Sequence, residues 1–188
     1  MGMAGLVKPS PPKLRLAIPS DAERISDLMR VSILGIFPSW YDERQTASAA
    51  VHIGHLDMAL VNDGTYFVHE VGGEIVACGG WSRRGKLYTG DGDRDGDHRL
   101  LDPKTEAAHV RAMFVRTDWT RRGVGRAILQ ASRSAARDEG FRSLDLMATL
   151  PGIPLYRSFG FVEVERAVIT MPDGVTIQGV MMWRRLDP

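Results

Sequence analysis

Cysteine is almost missing from this sequence: Cys78 is the only one among 188 residues. An internal disulfide is thereby excluded, and the usage suits a reducing compartment, so a cytoplasmic location is expected. Long apolar runs are missing too. None approaches the roughly 18 residues of a spanning helix, so no membrane segment is expected. Neither sign of charge dominates, since 24 basic and 23 acidic residues leave a formal net charge of +1. Such a chain has no global field to draw in nucleic acid or an anionic membrane, so neither is expected as a partner and any anion site must be local. His and Cys never fall at zinc-ligand spacing, and no metal is expected. Cys78 follows the apolar run Ile75-Val76-Ala77 with no base or cation beside it, which marks a buried structural thiol rather than a nucleophile.

What is present is enough for one substantial core, with 44% hydrophobic and 25% charged residues, and a single domain is the default. The opening MGMAGLVKPSPPK is too short and too weakly apolar for a secretion signal. Its prolines predict a flexible lead-in over residues 1–13, with the domain spanning 14–188. Leu14 to Ile18 alternates as a half-buried strand and Pro19 ends it. Ser20 or Asp21 then caps a helix with Ile25, Leu28, Met29 and Ser32 on one face. A second helix is expected from Asp42 to Leu60, and a hairpin from Thr65–Glu70 and Glu74–Ser82 across Gly72-Gly73. After an aperiodic loop, Arg83 to Thr105, come a strand from Ala107 to Val115 and a helix from Gly123 to Glu139, which Gly140 caps. Ser143 to Thr149 reads as a strand, followed by a short helix through Tyr156 and a last antiparallel pair, Val162–Thr170 and Thr176–Arg184. This order predicts an α/β fold with a mixed central sheet of about seven strands flanked by about four helices. Such a sheet leaves an edge through which two copies could pair as a homodimer.

The densest information lies in Val115 to Leu129, VRTDWTRRGVGRAIL. A strand ends in a basic turn, and two glycines open an amphipathic helix. Arg121, Arg122, Gly123, Val124, Gly125, Arg126 and Ala127 would gather backbone N–H groups, guanidinium groups and the positive end of a helix dipole around one point. The dinucleotide fingerprint fails because Ile128 holds its third glycine position, and a P-loop fails because no Gly-Lys-Ser/Thr follows. What remains is a pyrophosphate trap that needs no metal-binding hydroxyl.

Met113 to Leu129 resembles the acetyl-CoA-binding motif of the GNAT (Gcn5-related) N-acetyltransferase superfamily, Gln/Arg-x-x-Gly-x-Gly/Ala. Gly123 and Gly125 match its glycines, while Thr120 stands at the Gln/Arg position. Thr149 to Phe161 resembles a second signature of the family. Tyr156, Gly160 and Phe161 match it, and Thr149 takes the place of its usual Asn. Together the two resemblances cover roughly residues 107–165. They imply a GNAT-like (acyl-CoA N-acyltransferase) fold and acetyl-CoA as co-substrate. Its pyrophosphate would rest on residues 121–126, its pantetheine arm would pair with the backbone of Met113, Phe114 and Val115, and Thr149 would lie beside it. The implied activity is direct acetyl transfer to the primary amine of a small molecule or peptide.

Such a transfer needs a proton taken from the amine, a donor for the oxyanion and a proton for the leaving thiolate. Tyr156 is the acid by position, and a thiol pKa near 8.5 means that its loss should slow the reaction without abolishing it. For the base, His109 lies fourteen residues before Gly123, where the histone-acetylating branch carries a catalytic Glu. An imidazole suits that role directly or through water. Strict alternation would place His109, Arg111, Met113 and Val115 on one face, with Val110, Ala112 and Phe114 on the other. Glu106, Asp145 or water alone are the other base candidates. The oxyanion donor would be the backbone N–H of Met113 or Phe114.

Asp91 to Asp102 mimics a calcium loop but ends in Asp instead of Glu, and a solvated loop is the simpler reading. Trp40, Tyr41, His52 and His55 lie in the segment that in this family borders the acceptor site, where they could also be ordinary core. Two other readings compete with the acetyltransferase: a noncatalytic acyl-CoA-binding module on the same fold, and an acyltransferase with another acyl group or a hydroxyl acceptor.

Overall fold

A computed structural model describes residues 12–88 and 97–186. Among them, seven strands form one sheet and five α-helices flank it. The strands are β1 (Lys13–Leu16), β2 (Tyr66–Val71), β3 (Glu74–Ser82), β4 (Ala108–Val115), β5 (Ser143–Thr149), β6 (Val162–Thr170) and β7 (Thr176–Arg185). The helices are α1 (Ala22–Ile36), α2 (Glu43–His52), α3 (Met58–Asn62), α4 (Val124–Asp138) and α5 (Ile153–Ser158). Sheet order is β1-β2-β3-β4-β5-β7-β6, antiparallel throughout except for the central β4–β5 pair. A parallel pair needs a crossover, and α4 supplies it. Of the expected lead-in, residues 1–11 lie outside the described residues, and β1 already begins at Lys13.

Each face of the sheet carries its own core. On one, Leu129 and Ala136 of α4 and Tyr156 of α5 meet Val110, Leu144 and Leu146. On the other, Ile25, Leu28 and Met29 of α1 and Leu60 of α3 cover Tyr66, Val68 and Cys78. Buried Ile25, Leu28, Met29 and Ser32 recur at the helical period, as the sequence predicts. Sequence and structure part at the second helix. The expected continuous helix over 42–60 breaks into α2 and α3, which raises the helix count from about four to five. The break has a local cause: the Asp57 carboxylate accepts the Ala59 N–H at 3.0 Å and so starts a new helix as an N-cap.

Strand β4 departs from strict alternation. Its register against β3 runs Ser82↔His109, Trp81↔Val110 and Gly80↔Arg111, then resumes at Cys78↔Phe114 and Ala77↔Val115. Ala112 and Met113 therefore share Gly79 as a partner, and Ala112 adopts a left-handed φ of 53°. The bulge inverts every later side chain. Met113 and Val115, expected beside His109 and Arg111, instead pack with Val124 and Ile128 under α4, while Phe114 turns to the α1 face. A Cβ on Gly79 would lie 2.1 Å from the Met113 sulfur, so any larger residue opposite the bulge would displace the Met113 side chain.

Gly80 is equally constrained, because an added Cβ would sit 2.3 Å from the Thr65 carbonyl oxygen. Gly80→Ala is expected to cost about 1–3 kcal/mol, as overpacking does. In calorimetry Tm should fall by roughly 2–4 °C per kcal/mol, and an unchanged Tm would contradict the close approach. A second expectation concerns pH. Hydrogen bonds from the Arg15 guanidinium, at 2.7 and 3.0 Å, hold the buried Asp21 carboxyl below the usual carboxylate range. A carboxyl lowered on folding contributes stability that is complete above its unfolded pKa of about 3.9 and is lost as pH falls through the folded value. Asp21→Asn should therefore lower Tm at neutral pH and flatten its decline below about pH 5. Equal slopes for the two proteins would contradict this.

Candidate active site

Strands β4 and β5 are paired only at Ala108↔Leu144 and His109↔Asp145. Beyond that point β5 stays on β7 as far as Thr149↔Gly179, while β4 stays on β3. The two strands part, and a cavity of about 930 Å³ fills the gap. Val110 to Val115 form one wall and Met147 and Thr149 the other. Side chains of α1, of β2 and of the segment between α1 and α2 brace the walls. The Tyr66 hydroxyl donates to the Ala112 carbonyl at 2.6 Å and that of Ser32 to the Val115 carbonyl at 2.8 Å. Across the gap, the Tyr41 hydroxyl donates to the Gln178 carbonyl at 2.6 Å and accepts the Leu150 N–H at 2.8 Å. Burial keeps both phenols protonated, raising Tyr41 to about 12 and Tyr66 well above its ordinary value.

One end of the cavity is the glycine-rich turn. Arg121 and Gly123 both take left-handed backbone, with φ of 58° and 81°. Left-handed residues in such a turn build a concave nest of N–H groups. Gly123 caps α4, so the N–H groups of Gly123, Val124, Gly125 and Arg126 precede the first intrahelical bond. The Ala127 N–H is already bonded to the Gly123 carbonyl at 3.0 Å, so the set of free amides is one shorter than the sequence suggested. Thr120, Arg121 and Gly123 to Arg126 line the cavity, whereas Arg122 and Ala127 do not. The Arg122 guanidinium lies 4.7 Å over the Trp119 ring, and Arg126 packs over Phe159 while donating to the Ser158 carbonyl at 3.2 Å. Arg121 has no ion-pair partner among the described residues. Gly125 lets the helix end approach the sheet, since its Cβ would meet Leu155 at 3.2 Å and Val115 at 3.5 Å.

Tyr156 lines the same cavity from α5, its ring edge-on to Phe161 at 5.9 Å. Burial pushes its hydroxyl well above the ordinary phenol value, so the proton is present at neutral pH. Gly152 makes room for that ring: a Cβ there would be 2.7 Å from Tyr156 Cε2.

His109 and Asp145, rival bases in the sequence reading, form one unit here. His109 Nδ1 is hydrogen-bonded to Asp145 Oδ1, and both side chains are largely buried. The signal was the parallel register, which sets the two residues side by side where the strands separate. The pair opens on a smaller adjoining cavity of about 410 Å³ with Glu106 and Arg99, and Leu87 lines both spaces. Glu106 is held near 2, chiefly by its hydrogen bond with Arg99, and so is a poor base at neutral pH. Arg111 lines the main cavity and is paired with Asp57 at 3.0 Å.

Trp40 borders the main cavity. His52 instead bridges to Asp173 at 3.5 Å, and His55 is exposed and off the cavity. Cys78 is fully buried, and burial pushes its thiol up to about 12. In the calcium-like stretch, residues 91–96 lie outside the described residues, and the Asp102 carboxylate accepts from Lys104 N–H at 2.9 Å and Thr105 hydroxyl at 3.2 Å. No described helix is long and apolar enough to cross a membrane.

Solved structures share this architecture. A GCN5-related N-acetyltransferase from Rhodopseudomonas palustris superposes with a TM-score of 0.69 at 18% identity, covering 97% of this chain and 100% of the other. The PaiA N-acetyltransferase of Thermoplasma acidophilum, in complex with coenzyme A, gives 0.63 at 12% identity over 93% and 98% of the two chains. Salmonella typhimurium yncA with its cofactor acetyl-CoA gives 0.63 at 17% identity over 95% and 96%. At these identities the likeness shows the fold. No curated protein matches the sequence. A family model does, over residues 30–161, which hold the glycine-rich turn, the parted strands and Tyr156. On that match, the chain belongs to the acetyltransferase (GNAT) family.

Proposed function

We propose that this protein is an N-acetyltransferase that moves the acetyl group of acetyl-CoA directly to a primary amine bound in the same cavity. One observation carries the reading: a single cavity joins the free amides of Gly123 to Arg126 to Tyr156 through the gap between β4 and β5. The residues fit the co-substrate. A pyrophosphate suits the nest and helix end, with Arg121 as its nearby cation. An extended arm suits the stretch Val110 to Val115 where β4 has left β5, and Gly125 keeps the approach open. PaiA and yncA, crystallised with coenzyme A and acetyl-CoA, support the same donor.

Acetyl-CoA supplies the thioester, whose carbonyl carbon bonds to the amine nitrogen as its C–S bond breaks and the sulfur leaves as thiolate. Tyr156 donates its proton to that sulfur. The backbone N–H of Met113, beside the bulge, donates to the carbonyl oxygen as charge gathers there, since that of Phe114 is taken by the Cys78 sulfur. His109 takes the amine proton through water in the adjoining cavity, because its ring opens there and not onto the main gap. Asp145 fixes the ring with its Nδ1 toward the carboxylate and leaves Nε2 for the proton. Asp145 is a positioning residue in this scheme.

The first test follows free thiol while acetyl-CoA is mixed with small amines, amino acids and peptides. Tyr156→Phe is expected to lower kcat by about 10–100-fold, less than a full acid–base loss, with CoA affinity unchanged. Tight CoA binding with no thiol release across the panel would instead favour a noncatalytic acyl-CoA-binding module. The second test removes the pair. His109→Gln is expected to lower kcat about 100-fold or more with CoA affinity unchanged, and Asp145→Asn, which leaves the imidazole in place, to lower it less. Full activity in His109→Gln would assign the base elsewhere.

A further inference from the structure

The cavity extends past the reaction centre to the α1 face of the sheet, where apolar side chains predominate beside Ser32, Ser39 and Tyr88. Ile36 and Phe37 follow from the end of α1, Ile53 from the end of α2, and Met147 and Ile169 from the strands, with Trp40 at the rim. Ile36, Ile53 and Met147 are only half-buried, so apolar surface faces the space. Among the described lining residues of the whole cavity there is no Asp or Glu. The one charged group on this side, Arg111, is positive and is paired with Asp57. Trp40 lines the cavity and is 48% exposed.

Resting on the acetyl-transfer reading, we infer that the acceptor is a small primary amine on an apolar, uncharged body, and that Trp40 and Ile53 select it. A polyamine would bring further ammonium groups into a space whose described lining holds no carboxylate, and buried charge without a counter-charge is strongly disfavoured. An aryl or alkyl body covers the half-buried Ile36, Ile53 and Met147 and keeps its single nitrogen free to reach the gap between the strands. The cavity volume, shared with the donor's arm, suits a small molecule.

The test compares kcat/KM for 2-phenylethylamine, hexylamine, spermidine and an alanine-initiated peptide, each with acetyl-CoA. 2-Phenylethylamine and hexylamine are expected to exceed spermidine and the peptide at least about tenfold, the scale on which apolar pockets discriminate. Trp40→Ala should lower the value for 2-phenylethylamine about tenfold and leave CoA affinity unchanged. Ile53→Glu, which adds a carboxylate to the same wall, should shift the ratio toward spermidine, with calorimetry reporting that the variant is folded. Spermidine or the peptide as the best acceptor overturns the acceptor class and leaves acetyl transfer standing. A tenfold preference for hexanoyl-CoA with the peptide would assign the apolar end to the acyl chain and also overturn it. No thiol release with any amine overturns both readings.

Discussion

The parting of β4 from β5 after two pairs of registered residues is the constraint on which the rest of the molecule depends. Sheet hydrogen bonds would normally close that gap, since unpaired strand edges are unfavourable when buried. They are kept open from both sides. Tyr66 and Ser32 hold β4 by the Ala112 and Val115 carbonyls, while Tyr41 ties the end of β5 to β7. The left-handed Ala112 costs on the order of 1–2 kcal/mol, as such backbone does away from glycine. A fully buried tyrosine holding its carbonyl and a glycine facing it across the strand keep that conformation in place.

The same device sorts the chemistry. Because the bulge turns Met113 and Val115 under α4, that helix is packed tightly against the end of β4, and its free amides face the opening. Because His109 and Arg111 precede the bulge, they remain on the other face, where His109 meets Asp145. The free helix end and the His109–Asp145 pair are thereby set on opposite sides of one sheet. Tyr156 comes from a third element, α5, and its ring needs the bare backbone of Gly152.

Much of this was legible in the sequence. Period-2 and period-3.6 patterns place the strands and the buried faces of α1 and α4. The glycine pair after a strand and basic turn marks the helix end, and Tyr156 with its Gly-Phe pair marks the far wall. Three things were not legible, each for a physical reason. The break between α2 and α3 depends on the Asp57 carboxylate preferring a local backbone N–H, which periodicity does not register. The bulge leaves no mark in alternation counts, because Ala112 resembles any small strand residue until Gly79 is placed opposite it. The His109–Asp145 pair is 36 positions apart in sequence and meets only through a parallel register. Ala127 fell inside the motif, yet its amide is already committed to the helix.

The central claim is that the open gap and the helix end form one binding site for coenzyme A. A backbone amide NMR titration with coenzyme A tests it most directly. The largest, saturable shifts are expected at Arg121 to Arg126 and along Val110 to Val115, together with Tyr156, while β1 and β2 stay unmoved. Saturable binding whose shifts fall elsewhere, or no binding at millimolar coenzyme A, would contradict it.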